Sequence, residues 1–168
     1  SSITVIDSAT FEPTGKIPLP AGPLWMAVPE TADVMHVAVK DSNPTLFVVD
    51  LKFGRVRGPM VIGTTPYFWT DGPVHVSADG GLLFLQPWPG GATSSGTQAF
   101  AVNGRNLTQL GISYSTECTA PLTIDFRGAR IYAGHVVYTL DMSRKITEAP
   151  CLFCAPHPTK GLLFGAKK

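Results

Sequence analysis

Ile3-Thr-Val-Ile-Asp7, Leu46-Phe-Val-Val-Asp50, Ala99-Phe-Ala-Val-Asn103 and Val137-Tyr-Thr-Leu-Asp141 are four copies of one pattern. Each is a short apolar, β-favouring run that stops on an acid or an amide. A small loop follows, then a second run: Lys16-Ile-Pro-Leu19, Gly58-Pro-Met-Val-Ile62, Leu107-Thr-Gln-Leu-Gly-Ile112 and Lys145-Ile-Thr147. Such residues suit a pleated, half-buried surface, and Asp or Asn turns the chain by bonding its own backbone two residues on. The pattern reads as strand, turn, strand.

Working outward, each copy is preceded by a turn and another strand. These are Thr31-Ala-Asp-Val-Met-His-Val-Ala-Val39, Ala78-Asp-Gly-Gly-Leu-Leu-Phe-Leu85, Phe126-Arg-Gly-Ala-Arg-Ile-Tyr-Ala133 and Pro158-Thr-Lys-Gly-Leu-Leu-Phe-Gly165. Just upstream lies one more short run, such as Trp25-Met-Ala-Val28 or Val74-His-Val-Ser77. Each unit supplies four strands, and positions 7, 50, 103 and 141 are spaced by 43, 53 and 38 residues. A four-stranded unit of that period predicts the blades of a β-propeller. The predicted fold is all-β, with about four blade-equivalents. Residues 1–20 supply the last two strands of a closing blade; 21–63, 64–115 and 116–149 are complete blades; 150–168 supply the first two strands of the closing blade. The junction of Leu162–Ala166 with Ile3–Asp7 is expected to complete that blade, within one chain or across two, so that no sheet edge stays free. A ring of four is small, and the chain is equally readable as half of a larger ring.

Composition agrees with many short strands. The 168 residues are 44% hydrophobic and 15% charged, and 17 Gly and 15 Pro interrupt every helical spacing. A net charge of +1 offers nothing to nucleic acid or an anionic membrane, and no apolar run reaches the roughly 18–20 residues that span a bilayer. The opening Ser1-Ser-Ile-Thr-Val5 has no basic start and reads as a strand. The compartment stays open, with secretion or a periplasmic location favoured. Asn106-Leu-Thr108 is a glycosylation triplet that matters only in a secreted chain.

Ser2-Ile-Thr-Val-Ile-Asp-Ser-Ala-Thr10, with Thr14-Gly-Lys-Ile-Pro-Leu19 behind it, resembles the YVTN-type β-propeller repeats. Val76-Ser-Ala-Asp-Gly-Gly81 before Leu82-Leu-Phe84 resembles that family's Pro-Asp-Gly turn and aromatic strand. Asn103 and Met142 depart from the pattern. The resemblance implies a propeller, in a family that spans surface-layer and secreted binding proteins, lactonase-like enzymes and cofactor-linked dehydrogenase subunits. It implies no single function.

The residues that could carry chemistry are few. Cys151-Leu-Phe-Cys154 is open to three readings: zinc thiolates completed by Cys118 and His157, a redox pair, or small fillers of a strand. Three cysteines leave at least one outside any intrachain pair. Of the four histidines, His36 stands where other units have Phe84, Tyr132 and Phe164, so it replaces an aromatic in sheet packing. His135 falls in a tight turn, and His75 lies on an innermost strand beside Asp71. Asp71 and Glu117 are acids in loops, with nothing to fix their separation. Gly90-Gly-Ala-Thr-Ser-Ser-Gly96 is a strand connection, not a phosphate cradle, and no Ser-His-Asp order or nucleophile elbow appears.

Aromatic residues are the stronger lead. Trp25, Tyr67, Phe68, Trp69, Trp88 and Tyr114, with Asp71, fall at or near connections that open on one face of a propeller. Aromatic loops there suit a binding surface, although each ring singly could wedge between blades. The favoured function is a binding or scaffolding module without a cofactor. Its partner would be a protein or a second propeller chain, a homo-oligomer included. The alternative is a propeller enzyme, a lactonase-like hydrolase or a cofactor-dependent dehydrogenase subunit, with its site over the central channel.

Overall fold

The computed structural model describes residues 1–40, 45–62, 72–86, 96–114, 122–125, 130–150, 153–156 and 162–166. Among them every regular element is a strand. The first sheet pairs β1 (Ser2–Ile6) with β2 (Pro13–Pro18). The second is a four-stranded antiparallel meander of β3 (Gly22–Ala27), β4 (Val34–Lys40), β5 (Thr45–Asp50) and β6 (Arg55–Pro59). The two-residue strand β7 (Val61–Ile62) then leaves its own meander and pairs parallel with the outer edge of the next. That third sheet runs through β8 (Val74–Val76), β9 (Leu82–Leu85), β10 (Thr97–Asn103) and β11 (Asn106–Ser113). The fourth is another antiparallel meander, β12 (Leu122–Ile124), β13 (Ile131–Ala133), β14 (Val136–Tyr138) and β15 (Lys145–Glu148). The fifth pairs β16 (Phe153–Pro156) with β17 (Leu163–Ala166).

The sheets stack face to face, and the period of two along each strand decides which neighbour a side chain meets. In β4, Met35, Val37 and Val39 pack with Ile17 and Leu19 of the first sheet and its exit. Ala38 turns the other way, into a core with Leu83, Leu85 and Phe100 of the third sheet. In β9, Phe84 turns toward Ile131, Val136 and Tyr138 of the fourth. In β13, Ile131 and Ala133 face the third sheet, and Tyr132 joins Cys154 of the fifth. The middle sheets are therefore buried on both faces, which is why Met35 to Val39 reads as a continuous buried run. Each fully buried aliphatic or aromatic side chain contributes about 1.5–3 kcal/mol.

A six-residue turn recurs between strands. The backbone N–H of its first residue donates to the carbonyl of its sixth in Asp7 to Glu12, Ser77 to Leu82 and Thr139 to Arg144, at 3.0 Å each time. Two of these turns are near copies. Ser77 Oγ and the Gly81 N–H both donate to Asp79 Oδ1, and Thr139 Oγ1 and the Ser143 N–H both donate to Asp141 Oδ1. The fourth position lies in the left-handed region in both, Gly80 at φ 75° and Met142 at φ 57°. Glycine takes that conformation freely. Met142 is unexpected there on sequence grounds, and the conformation costs it about 1–2 kcal/mol. Its side chain is only 2% exposed, in the core shared with Phe84 and Tyr138. That burial offsets the strain.

Two expectations are corrected. Leu162–Ala166 does not pair with Ile3–Asp7 within the chain, because β1 and β17 belong to separate two-stranded sheets. The first sheet packs on the second and the fifth on the fourth, so the two pairs lie at opposite ends of the stack. The period of two along the third strands predicts burial of Val5, of Phe47 or Val49, of Phe100 or Val102, and of Tyr138 or Leu140; Val5 is instead 41% exposed, since the two-stranded first sheet has a cover on one side only. Of the alternatives in the complete meanders, Val49, Phe100 and Tyr138 are buried.

Candidate functional site

The first strands of four successive sheets converge on one cavity of about 430 Å³. Its wall is built from Met26 and Ala27 of β3, Val74 to Val76 of β8, Leu122 to Ile124 of β12 and Pro156 of β16, with Glu30 and Asp125 from the adjoining connections. A strand at the edge of a meander shows one row of side chains to its own sheet's neighbours and the next row to open space. That alternation buries Ala27 and leaves Met26 and Val28 exposed by 52% and 54%.

Among the described residues, His75 is the one imidazole on this wall. It pairs across the sheet with Phe84, and its Nε2 lies 3.2 Å from Gln86 Oε1. Burial pushes its pKa below the usual 6.5, and the hydrogen bond to Gln86 opposes that only in part. At neutral pH the ring is uncharged and serves as a hydrogen-bonding group. Gln86, 2% exposed, is the residue that orients it. The only sequence signal for that role is a polar residue directly after the apolar run Leu82 to Leu85.

The other candidates separate. Trp25 lies in β3, half-buried against the core that holds Ala38 and Leu46. Tyr114 follows β11 and is 62% exposed. His36 is 1% exposed within β4, and His135 sits in the turn between β13 and β14 beside Gly134 at φ 59°. Tyr67, Phe68, Trp69, Asp71, Trp88, Glu117, Cys118, Cys151 and His157 lie outside the described residues. Cys154 is 5% exposed and disulfide-bonded. In that state its sulfur has no thiolate to give a metal, and its side chain fills the core beside Tyr132 and Val137. Among the described residues no group of three or more His, Cys, Asp or Glu side chains is placed to hold a metal ion, and no helix is long and apolar enough to cross a membrane.

A second concavity, a groove of about 930 Å³, runs between the second and third sheets. Ala32, His36, Asp50 and Phe53 are on one side, with Asp79, Gly81, Gly104 and Arg105 on the other. No sequence pattern pointed to it, because its walls come from two units.

Comparison with solved structures finds hydrazine synthase of Kuenenia stuttgartiensis, at a TM-score of 0.63 and 15% sequence identity. The likeness covers 92% of this chain and 44% of that one, so this chain spans less than half of its length. At that identity the likeness is one of fold alone. No protein-family model matches the sequence, and no curated protein matches it.

Proposed function

We propose that the chain is a run of β-propeller blades that works as a protein-binding module, docking its partner at the cavity ringed by β3, β8, β12 and β16. Four-stranded antiparallel meanders, stacked by alternate residues with their first strands around one cavity, suit propeller blades. The likeness to a chain more than twice as long suits a larger ring. The uncovered side chains of β1 and β17, with Ile6 and Phe164 exposed by 55% and 56%, suit pairing with further strands.

The observation that carries the binding reading is the cavity wall itself. Met26 and Val28 present apolar surface beside the acids Glu30 and Asp125. An apolar side chain flanked by basic groups on a partner protein fits that wall. Tyr67, Phe68, Trp69, Trp88 and Tyr114 are proposed as further anchors. A disulfide at Cys154 fits an oxidising compartment, hence a secreted or periplasmic protein. The rival reading, a lactonase-like hydrolase or a dehydrogenase subunit, would centre on His75 in the same cavity.

The test places a photo-crosslinking residue at Val28 in the full chain, alongside light-scattering mass measurements. A discrete crosslinked protein, lost in Met26→Asp and weakened in a Trp69→Ala, Trp88→Ala double variant, supports the module. A monomeric mass with no crosslink refutes it. Retained crosslinking with lost hydrolytic activity in His75→Gln would favour the enzyme.

A further inference from the structure

The groove between the second and third sheets holds a buried polar group with nothing to bond. His36 is 1% exposed, and neither its Nδ1 nor its Nε2 has a hydrogen-bond partner. Leaving a buried polar atom unpaired costs about 1–3 kcal/mol. The equivalent place in the third sheet holds Phe84, which would have avoided that cost. His36 is among the residues that line the groove.

The charges of the groove do not cancel. Arg57 is held by Asp50, with Nε at 2.9 Å from Oδ2. Asp79 is bonded by Ser77 Oγ and the Gly81 N–H. Those partners are neutral, so Asp79 keeps its negative charge; Arg55 and Arg105 have no ion-pair partner among the described residues, and three arginines against two aspartates leave the lining with one net positive charge. Arg55 lies over the Phe53 ring, 5.1 Å from its centroid. Arg105 is fixed more firmly. Its carbonyl accepts from the Val61 N–H at 2.7 Å, and its guanidinium lies against the backbone of Gly58. A β-carbon at residue 58 would stand 2.7 Å from Nη1, and Gly58 has φ 115°. The backbone conformation asks for glycine there, whereas the end of the Arg105 side chain could swing clear of an added β-carbon. The wall that carries Arg105 also contributes Gly80, Gly81 and Gly104.

We infer that this groove binds a small-molecule oxyanion, a carboxylate or a phosphate ester, with Arg105 and Arg55 supplying the charge at the rim and His36 a hydrogen bond. Planar guanidinium groups match the oxygens of both anions. A groove of this size lies at the upper end of the range that takes small ligands. The inference is independent of the protein-docking cavity, whose lining shares no residue with the groove.

The test titrates the full chain with inorganic phosphate and, separately, with citrate at matched ionic strength, following the His36 ring by NMR and heat by calorimetry. Saturable binding that shifts the His36 ring signals and raises its pKa is the expected result. Saturation by phosphate alone identifies a phosphate ester as the ligand class, and by citrate alone a carboxylate. Arg105→Gln, a change at an exposed side chain, should weaken binding about tenfold or more. His36→Phe should fold and lose the remaining specificity. Shifts that rise linearly without saturation for both anions, or binding unchanged in Arg105→Gln, would overturn the inference.

Discussion

The carbonyl oxygen of Asp141 occupies the space that a side chain on Gly111 would need: a β-carbon there would stand 2.0 Å away. Strand β11 of the third sheet therefore touches the turn that carries Met142 in the fourth. The contact closes the outer end of the core around Phe84, Ile131 and Met142.

Replacing Gly111 by Ala should cost about 1–3 kcal/mol, because backbone on the facing side must shift to admit the methyl group. Gly15, with nothing within 4 Å of an added β-carbon, is the control and should tolerate Ala within about 0.5 kcal/mol. Urea denaturation of both variants measures the contrast. Equal stabilities would show that the two sheets do not meet at this point.

Truncations on the third strands of the units should divide by sheet. Phe100→Ala removes a side chain that is 1% exposed and should cost about 3–5 kcal/mol. Val5→Ala, on the half-covered first sheet, should stay within about 0.5 kcal/mol. Thermal melts of the pair check this, and a large loss at Val5 would mean that something covers the first sheet in solution.

Acid should unfold the chain through its turn carboxylates. Asp7 is held below the usual 3.8 mainly by the Thr10 N–H, Asp50 by the Arg57 guanidinium, Asp79 by the Ser77 hydroxyl and Asp141 by the Thr139 hydroxyl. A carboxyl group with a lowered folded-state pKa stabilises the fold fully above its unfolded value. That stabilisation is lost as pH falls from 3.8 through the lower folded value. Stability should therefore be flat in this respect above about pH 5 and fall steeply below 3.8. Asp50→Asn should flatten the fall, as followed by circular dichroism across an acid series. An unchanged acid limb would show that the Arg57 pair is not formed in solution.

What could be read beforehand was local. Thr31 to Val39 is visible as a turn and a strand in the order of residues alone, but the division of Met35, Val37 and Val39 from Ala38 is not, because a run buried on both faces shows no alternation. The Asp79 turn is equally visible, since Ser, Asp and two glycines have little else to do in a row. The exposure of Val5 was not visible, for it depends on how many strands the first sheet acquires. Nor was the place of Met142 legible: its sequence denies a left-handed turn, and only the core it enters explains it. The groove with His36 and Arg105 is hidden for the same reason, since its two walls meet only after separate sheets have stacked. Tyr67, Trp69 and Trp88 drew attention by composition, which says that aromatic surface exists but not what it touches.

The short strand β7 has a mechanical consequence. Tension applied along the chain between the second and third sheets reaches β11 through Val61 and Ile62 before it reaches the sheet cores. Parallel neighbours loaded in this way resist by shear, with their cross-strand bonds strained together, whereas a pulled hairpin opens one bond at a time. The two-residue clasp thus makes the joint between these sheets a place where force is shared, and the Arg105 carbonyl, bonded to the Val61 N–H, is its first anchor.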